Sequence, residues 1–179
     1  MTIAVYPGKL NGTLNVPSSK SQLHRLIICA SFAGGAEIKT VGKVSDDIAA
    51  TVDCIESLGA IVRLKDDTIM VGKNCRIRGN AVLHCGESGS TLRFLLPIIA
   101  ALGCGGHCLD DGLKKRPHDE IIRILGKNGC KVEKTDSVIT VSGKLSGNEY
   151  TVRGDISSQY ISGLIMALPL IGGGKITVT

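Results

Sequence analysis

The stretch VPSSKSQLHRLIICASFAGG, residues 16–35, determines how the rest of the chain is interpreted. Its first half contains three serines, a lysine and an arginine, whereas its second half is almost entirely apolar and ends in two glycines. Capping residues followed by apolar residues at helical spacing predict a helix that begins near Ser19. Ser19 is the expected N-cap, and Gln22, three positions later, is expected to complete a capping box.

The expected helix has a polar and an apolar face. Ser21 and Arg25 are four residues apart and therefore lie on the same face. The apolar face is expected to consist of Leu23, Leu26, Ile27 and Ala30. A serine at a helix start is most often only a cap, and an arginine near it is most often a surface cation. A functional interpretation therefore needs a further pattern in the chain.

Such a pattern exists, because the stretch returns twice. A shift of 69 residues superposes the following sets: Ser19, Ser88 and Ser157; Leu26, Leu95 and Leu164; Gly34, Gly103 and Gly172. The apolar stripe also returns, first as Leu92, Leu95, Leu96 and Ile99, and then as Ile161, Leu164, Ile165 and Leu168. Coincident identities together with shared apolar spacing indicate an internal repeat.

The repeats predict a mixed α/β (α+β) fold. Each unit is expected to contain a helix, a glycine-rich turn, a strand, a second helix and two strands joined by a polar turn. The units cover about 16–84, 85–153 and 154–179, and the third is too short for its second helix and final strands. We expect one domain over residues 1–179 that is a fragment of a longer protein or is cut within a unit.

The three helix starts carry groups suited to anions. A helix N-terminus presents unpaired N–H groups and the positive end of the helix dipole, which favours phosphate or carboxylate. The residues there are Lys20, Ser21 and Arg25, then Ser88, Gly89, Ser90 and Arg93, then Ser157, Ser158 and Gln159. If the units pack around a common axis, these starts converge on one electropositive site. Gly89 would let a ligand approach the backbone amides closely.

The stretch LKKRPHDEI, residues 113–121, is a second candidate for anion binding. Pro117 suits the first turn of a helix, with Asp119 and Glu120 near its positive end. The residue before a proline is extended, so Arg116 is expected to project from a loop. The alternative is that Lys114, Lys115 and Arg116 form a solvated basic run.

Composition restricts the partners. The chain has 179 residues, 43% of them hydrophobic, which supports a buried core, and a net charge of +5 suits anionic ligands. Aromatic residues make up only 3% of it and tryptophan is absent, so few rings could stack on bases. Apolar runs such as 164–171 are too short to span a membrane, and we expect no signal peptide. We therefore expect small-molecule substrates, no nucleic-acid or membrane partner, and a cytoplasmic location.

The cysteines and histidines do not suggest a metal or cofactor. The seven cysteines are odd in number and form no C-x-x-C pair, so we expect reduced and mostly buried thiols. The stretch CGGHC, residues 104–108, has the look of a metal clip, but no second cluster completes a ligand set. His24, His84, His107 and His118 lack a catalytic partner pattern and are expected at the surface or as caps.

Four motifs in order resemble one enzyme family. VPSSKSQLHR, GESGSTLRFL, KRPHDEI and GDISSQY are similar to motifs of the 5-enolpyruvylshikimate-3-phosphate synthases, also called 3-phosphoshikimate 1-carboxyvinyltransferases. The resemblance covers essentially the whole chain. It implies the enolpyruvyl transferase fold, with two domains of three βαβαββ units each, of which this chain supplies the N-terminal substrate-binding part. The C-terminal domain would be absent.

The resemblance also implies roles for individual residues. Lys20 matches a lysine that contacts both substrates, phosphoenolpyruvate and shikimate 3-phosphate, and Gln159 matches a glutamine between them. The residues that match contacts to shikimate 3-phosphate are Ser21, Arg25, Ser157 and Ser158. The residues that match contacts to phosphoenolpyruvate are Gly89 and Arg116. Arg93 and Asp47 match motif positions without a definite role.

The implied reaction belongs to the shikimate pathway, which leads to chorismate and the aromatic amino acids. The 5-hydroxyl of shikimate 3-phosphate adds to phosphoenolpyruvate, whose methylene carbon is protonated, and the tetrahedral intermediate then loses phosphate. No cofactor is implied. The family's carboxylates for proton transfer, and its further cations, would lie in the absent half, so the chain alone is expected to show negligible turnover.

Two alternatives remain open at the level of sequence. The UDP-N-acetylglucosamine enolpyruvyl transferases share the fold, but there an asparagine is expected where this chain has Ser21, and a cysteine where it has Asp111. A non-catalytic phosphate-binding module is the other alternative. RNA 3′-terminal phosphate cyclases are disfavoured by the scarcity of aromatic residues. Glu87 and Ser90 depart from the asparagine and threonine common in the second motif, and Glu87 adds a negative charge near an anion site.

Overall fold

The computed structural model describes residues 3–9, 11–73, 76–112 and 115–179. The described α-helices are α1 (Lys20–Ala33), α2 (Asp46–Ser57), α3 (Gly89–Leu102), α4 (Asp119–Lys127) and α5 (Ser158–Ala167), and a 3-10 helix covers Leu168–Ile171. The described strands are β1 (Gly35–Lys39), β2 (Val62–Lys65), β3 (Thr68–Gly72), β4 (Ala81–His84), β5 (Gly106–Leu109), β6 (Cys130–Lys134), β7 (Val138–Gly143), β8 (Glu149–Val152) and β9 (Lys175–Val178). The predicted mixed α/β class is confirmed.

The strands form three sheets. The first has the antiparallel order β1-β3-β2, and the second has the order β4-β5-β7-β6, in which only β4 and β5 are parallel. The third is the parallel pair β8-β9. Because β4 and β8 each begin a new sheet, the sheet boundaries precede the expected unit boundaries at 84/85 and 153/154. The succession β4-α3-β5-α4-β6-β7 has the order βαβαββ, while the number of units in the whole domain stays a prediction.

Helix α3 lies in the centre of the helical layer, between α1 and α5. Leu95 and Leu96 of α3 are both fully buried. The residues at the equivalent repeat positions of α1 and α5 are less buried. Leu26 of α1 is 47% exposed and Ile165 of α5 is 58% exposed. The prediction that both belong to the buried stripe is therefore wrong. Helix α1 packs mainly against α2 and helix α5 mainly against α3, and Leu26 and Ile165 lie where these contacts leave the helix surface exposed.

The backbones of α3 and α5 approach each other closely at Gly163. A Cβ atom at this position would lie 2.6 Å from the carbonyl oxygen of Arg93 and 3.1 Å from Cγ of Pro97, which stands inside α3. Real Cβ contacts do not reach the first distance, so only glycine permits this packing. The crossing brings the first turn of α5 alongside the first turn of α3.

The starts of α1, α3 and α5 are capped differently. Ser88 accepts a hydrogen bond from the N–H of Thr91, and Ser157 accepts one from the N–H of Gln159. Ser19 is the N-cap of α1 as predicted, but its side chain makes no capping bond, so the predicted capping box with Gln22 is wrong. The neighbouring Ser18 hydroxyl instead accepts from the N–H of Val41, which leaves the Ser19 side chain in solvent.

The cysteines in the described part of the chain are free thiols. Cys54, Cys85 and Cys108 are fully buried, and a hydrogen bond with Cys85 together with burial raises the pKa of Cys54. Cys29 is exposed on the outer side of α1 and Cys104 is half-buried, which corrects the expectation for these two. Cys75 lies outside the described residues. Within the described ranges, no helix combines the length and hydrophobicity required to cross a bilayer.

Candidate anion-binding site at three helix starts

The first turns of α1, α3 and α5 meet on one side of the molecule, and we call this region the helix-start site; it comprises residues 19–25, 88–93 and 157–162. The start of α1 is joined to α2 through an ion pair in which Lys20 Nζ lies 2.5 Å from Asp47 Oδ2. About half of the Lys20 side chain is exposed, so its ammonium group is accessible to a ligand. Asp47 stands in the first turn of α2, which suits its carboxylate.

A chain of buried hydroxyl groups connects α1, α2 and the start of α3. His24 Nδ1 lies 2.7 Å from Thr51 Oγ1, which lies 2.7 Å from Thr91 Oγ1, which lies 2.7 Å from Ser88 Oγ. The carbonyl of Asp47 accepts from both threonine hydroxyls, at 3.2 Å and 3.4 Å. Buried polar side chains joined in this way fix the relative position of the elements that carry them.

Arg25 is held by all three helices of the site. Its Nη1 donates to the carbonyl of Ser21 one turn earlier, at 2.6 Å, and its Nη2 donates to the hydroxyl of Ser162 on α5, at 3.0 Å. Its guanidinium also lies 4.9 Å from the ring centroid of Phe94 on α3, a cation–π distance. The predicted shared face of Ser21 and Arg25 is confirmed by the first of these bonds.

Gln159 joins the starts of α3 and α5. Its Oε1 accepts from Arg93 Nη1 at 2.7 Å, and its Nε2 donates to Ser90 Oγ at 2.7 Å. The guanidinium of Arg93 lies 5.5 Å from the ring centroid of Tyr160, whose hydroxyl donates to the carbonyl of Pro117. The amide orientation of Gln159 is therefore defined by a cation on one side and a hydroxyl on the other.

Arg116 reaches the start of α3 from the loop before α4. A Cβ atom at Gly89 would collide with its Nη1, and a Cβ at Gly112 would lie 3.3 Å from its Nε. Its Nη1 is 3.7 Å from Oδ2 of Asp110, a fully buried carboxylate whose Oδ1 accepts from the N–H of Gly112 at 2.7 Å. The expectation that Arg116 projects from a loop is confirmed, and Asp119 and Glu120 stand in the first turn of α4 as predicted. Pro117 precedes the N-cap residue His118, so its predicted place in the first turn is wrong.

Two histidines are buried near the site: His24 contrary to expectation, and His118 at the N-cap position of α4, where its side chain makes no capping bond. His24 and His118 have no exposed surface. Burial lowers the pKa of each to about 4, so both rings are neutral at pH 7. His24 Nε2 and both ring nitrogens of His118 lack a hydrogen-bond partner among the described residues. The permanent positive charge of the site therefore comes from its lysine and arginines.

Glu87 lines a cavity that Arg93 does not line. The bonds of Arg93 run to Gln159, whereas Glu87 is exposed and lines a cavity of about 350 Å³ together with Asp46 and Asp47. A separate cavity of about 210 Å³ adjoins Lys20 and is also lined by Lys43. The acidic side chain of Glu87 thus belongs to the edge of the helix-start site.

The structure brings the ten predicted site residues together. Lys20, Arg25, Asp47, Gly89, Arg93, Arg116 and Gln159 take part in the contacts above. Ser21 contributes its carbonyl to Arg25, Ser157 caps α5, and Ser158 is exposed in the first turn of α5. Lys114 of the predicted basic run lies outside the described residues. No group of three or more His, Cys, Asp or Glu side chains in the described ranges could hold a metal ion.

Sequence reasoning missed several residues that shape the site. These are His24, Thr51, Thr91, Phe94, Asp110, Tyr160 and Ser162. A signal existed for Thr51 and Thr91, because each interrupts an apolar helical stripe with a hydroxyl group. No local signal marks Tyr160 or Ser162, whose partners stand 43 and 137 residues away in the sequence.

A comparison with protein families gives a match over almost the whole chain. The profile described as EPSP synthase (3-phosphoshikimate 1-carboxyvinyltransferase) matches residues 5–179. The chain belongs to the EPSP synthase family. The predicted family resemblance is thereby confirmed.

Individual members of the EPSP synthase family are similar over 99% of this chain. A 3-phosphoshikimate 1-carboxyvinyltransferase from Clostridium beijerinckii is 41% identical, and one from Clostridioides difficile is 36% identical. The chain spans only about 43% and 44% of the length of these two relatives.

The fold of the family is also found in solved structures. An EPSP synthase from Acinetobacter baumannii superposes on 88% of this chain with a TM-score of 0.74 and 24% identity, and 38% of that protein is covered. The enolpyruvyl transferase NikO from Streptomyces tendae gives a TM-score of 0.56 at 14% identity. The chain therefore has the enolpyruvyl transferase fold, as predicted.

Proposed function

We propose that the chain is the substrate-binding part of a 3-phosphoshikimate 1-carboxyvinyltransferase. This enzyme transfers the enolpyruvyl group of phosphoenolpyruvate to the 5-hydroxyl of shikimate 3-phosphate and releases phosphate. The chain spans less than half of the relatives, so activity is a property of the longer protein. Membership of the family supports the proposal, as does the convergence of three cationic side chains at the helix-start site with Arg116, which reaches it from the loop before α4.

The observation that carries the proposal is the position of Arg116 against the start of α3. A guanidinium group beside Gly89 faces the positive end of a helix dipole, and the nearest carboxylate oxygen recorded for it, on Asp110, is 3.7 Å away. The ion pair with Asp110 offsets the repulsion between these two positive groups, but it is longer than a hydrogen bond, so the N–H groups of the guanidinium stay available to a further anion. The carboxylate or phosphate of phosphoenolpyruvate would provide that anion and bond both the amides and the guanidinium.

The second substrate would lie between α1 and α5. Arg25 bridges these helices through Ser162 and stays partly exposed, while the serine at the start of α5 and the exposed Ser158 present hydroxyl groups nearby. We assign the phosphate of shikimate 3-phosphate to Ser21, Arg25, Ser157 and Ser158. We assign phosphoenolpyruvate to Gly89 and Arg116, with Lys20 and Gln159 between the two substrates.

These residues would promote the reaction by placement and charge. Two anions held side by side bring the attacking hydroxyl to the double bond, and fixed cations stabilise the charge that develops on the carboxylate and the departing phosphate. Lys20, free to exchange Asp47 for a ligand, is the residue of this chain that we place at the reacting atoms. Arg93 and Asp47 would support Gln159 and Lys20, and the remaining proton-transfer groups would come from the rest of the longer protein.

Titration calorimetry tests the substrate assignment. Shikimate 3-phosphate is added first to the chain, and phosphoenolpyruvate follows. We expect shikimate 3-phosphate to bind and phosphoenolpyruvate to bind more tightly in its presence. We expect Arg25→Ala to abolish the binding of shikimate 3-phosphate. Arg63→Ala removes an exposed arginine on β2 outside the site and should change neither. Binding of UDP-N-acetylglucosamine in place of shikimate 3-phosphate would contradict the assignment and favour the sister class.

The biological setting follows from the reaction. We place the longer protein in the shikimate pathway of aromatic amino-acid biosynthesis, with the two small molecules as its partners and without a cofactor. A cytoplasmic location is supported by the free thiols of the described cysteines, which suit a reducing compartment. Cell fractionation with detection of the full-length protein would test the location.

A further inference from the structure

Arg116 depends on its backbone for its position. Its guanidinium is 3.7 Å from Asp110 Oδ2, which is beyond hydrogen-bond distance, and about a third of its side chain is exposed. The loop that carries it turns between Gly112 and α4, so the direction of its side chain is set where the chain passes through Arg116 and Pro117. A contact that fixes this point would fix the guanidinium relative to Gly89.

Tyr160 makes such a contact. Its hydroxyl donates to the carbonyl of Pro117 at 2.5 Å, and the residue has no exposed surface. Burial raises the pKa of Tyr160, so the hydroxyl remains protonated and can only be a donor to this carbonyl. Because Tyr160 follows Gln159 on α5, the bond ties the Arg116 loop to the helix that carries the bridging amide.

The ring of Tyr160 contacts a second cation of the site. The guanidinium of Arg93 lies 5.5 Å from its centroid while bonding Gln159. One buried side chain is therefore in contact with the loop of Arg116 through its hydroxyl and with Arg93 through its ring. Phenylalanine would keep the ring contact and lose only the bond to Pro117.

We propose that Tyr160 is a positioning residue that, through the carbonyl of Pro117, holds Arg116 at the start of α3 for the anionic group of the enolpyruvyl donor. The identity of that donor rests on the proposed function, whereas the positioning of Arg116 does not. The residue acts through Arg116 and does not itself contact the substrate.

The chain contains a matched control. Tyr150 is also buried, and its hydroxyl also donates to a backbone carbonyl, that of Gly147, at 2.5 Å. Tyr150→Phe and Tyr160→Phe therefore delete the same atom from the same kind of bond, and similar losses of stability in denaturant are expected. Only Tyr160→Phe loosens the Arg116 loop.

Two measurements on the full chain decide the proposal. Calorimetry in the presence of shikimate 3-phosphate should show a Kd for phosphoenolpyruvate about five-fold higher in Tyr160→Phe, the loss of one net hydrogen bond, and an unchanged Kd in Tyr150→Phe. The relaxation of the Arg116 Nε–H signal, assigned with Arg116→Lys, should show greater mobility in Tyr160→Phe alone.

The outcomes separate the two proposals. Equal Kd values in wild type and Tyr160→Phe, or equal increases in both variants, would overturn the positioning role. If the wild type binds neither substrate, the proposed function is contradicted, and the relaxation data then decide: unchanged Arg116 mobility in Tyr160→Phe overturns the inference, and increased mobility in that variant alone supports it.

Discussion

Gly89 has no side chain at the point where the guanidinium of Arg116 lies. The same arrangement recurs on a smaller scale at Gly112, which borders the Nε of Arg116. Two glycines therefore make room for one cation. A ligand anion at the start of α3 would contact this cation and the backbone amides together.

Gly89→Ala should weaken the binding of phosphoenolpyruvate. The added Cβ collides with the end of a flexible side chain, so Arg116 moves while the fold persists. We expect the Kd to rise by about 10- to 100-fold, as for the loss of a hydrogen bond to a charged group, with little change in stability. Calorimetry and chemical denaturation measure the two effects, and an unchanged Kd would show that Arg116 is not part of the binding site.

The buried histidines make stability dependent on pH. Their pKa is about 4 in the folded chain and about 6.5 when unfolded, so the unfolded state binds more protons between these values. Folding stability is thus lost as the pH falls from about 6.5 towards 4. From pH 7 to pH 5 we expect each histidine to cost about 2 kcal/mol of unfolding free energy.

His24→Gln isolates one of these contributions. Glutamine keeps polar atoms that can bond Thr51 but does not titrate. Urea denaturation at pH 7 and pH 5 should give a pH-dependent loss about 2 kcal/mol smaller than in the wild type. His84→Gln, at an exposed histidine on β4, should leave the loss unchanged. Parallel behaviour of His24→Gln and wild type would mean that His24 is protonated in the folded state.

At the level of secondary structure, α3 and α5 position the site through Gly163. The starts of these helices carry Ser90, Arg93 and Gln159, whose mutual bonds require the close crossing. Much of this level follows from the sequence: the three helices with N-cap residues Ser19, Ser88 and Ser157 appear where predicted. The periodicity does not reveal which neighbouring element covers each helix. For this reason it wrongly predicts that Leu26 and Ile165 are buried.

Gly163→Ala should separate α3 from α5. The methyl group would lie 2.6 Å from the Arg93 carbonyl oxygen, which is backbone and cannot turn aside, so the helices must shift. We expect a loss of about 1 to 3 kcal/mol in denaturation experiments and weaker substrate binding. Gly126→Ala on α4, where a Cβ meets nothing within 4 Å, should instead stabilise by up to about 1 kcal/mol. A stabilised Gly163→Ala variant would exclude the close crossing.

At the level of the whole molecule, the site residues are distributed over four helices and one loop. Most of them could be predicted because the repeat places polar and basic residues at equivalent helix starts, whereas Arg116 was predicted from the stretch before Pro117 and Asp47 only from the family resemblance. The residues behind them could not, since Tyr160 and Thr51 act through partners that only the folded chain brings close. The position of Glu87 could not be predicted either, because its spacing from Arg93 in the sequence does not show whether the two side chains face each other.

The chain alone should not turn over substrates. It spans about 43% of the length of a relative, and the helix-start site holds cations and neutral groups but lacks an assigned acid and base pair. An assay of phosphate release with both substrates should give no steady rate above background, although each ligand binds. Sustained release by the purified chain would show that it carries the complete catalytic machinery.

Pro97 stands four residues after Arg93 and has no N–H to offer the preceding turn of α3. The carbonyl of Arg93 is consequently released from the usual helical bond, and it is this oxygen that abuts Gly163. Arg93 thus touches α5 at both of its ends, through its backbone oxygen and through its guanidinium. Sliding of α5 along α3 would therefore move this guanidinium directly, so the contact between the two helices sets the position of one positive charge of the site.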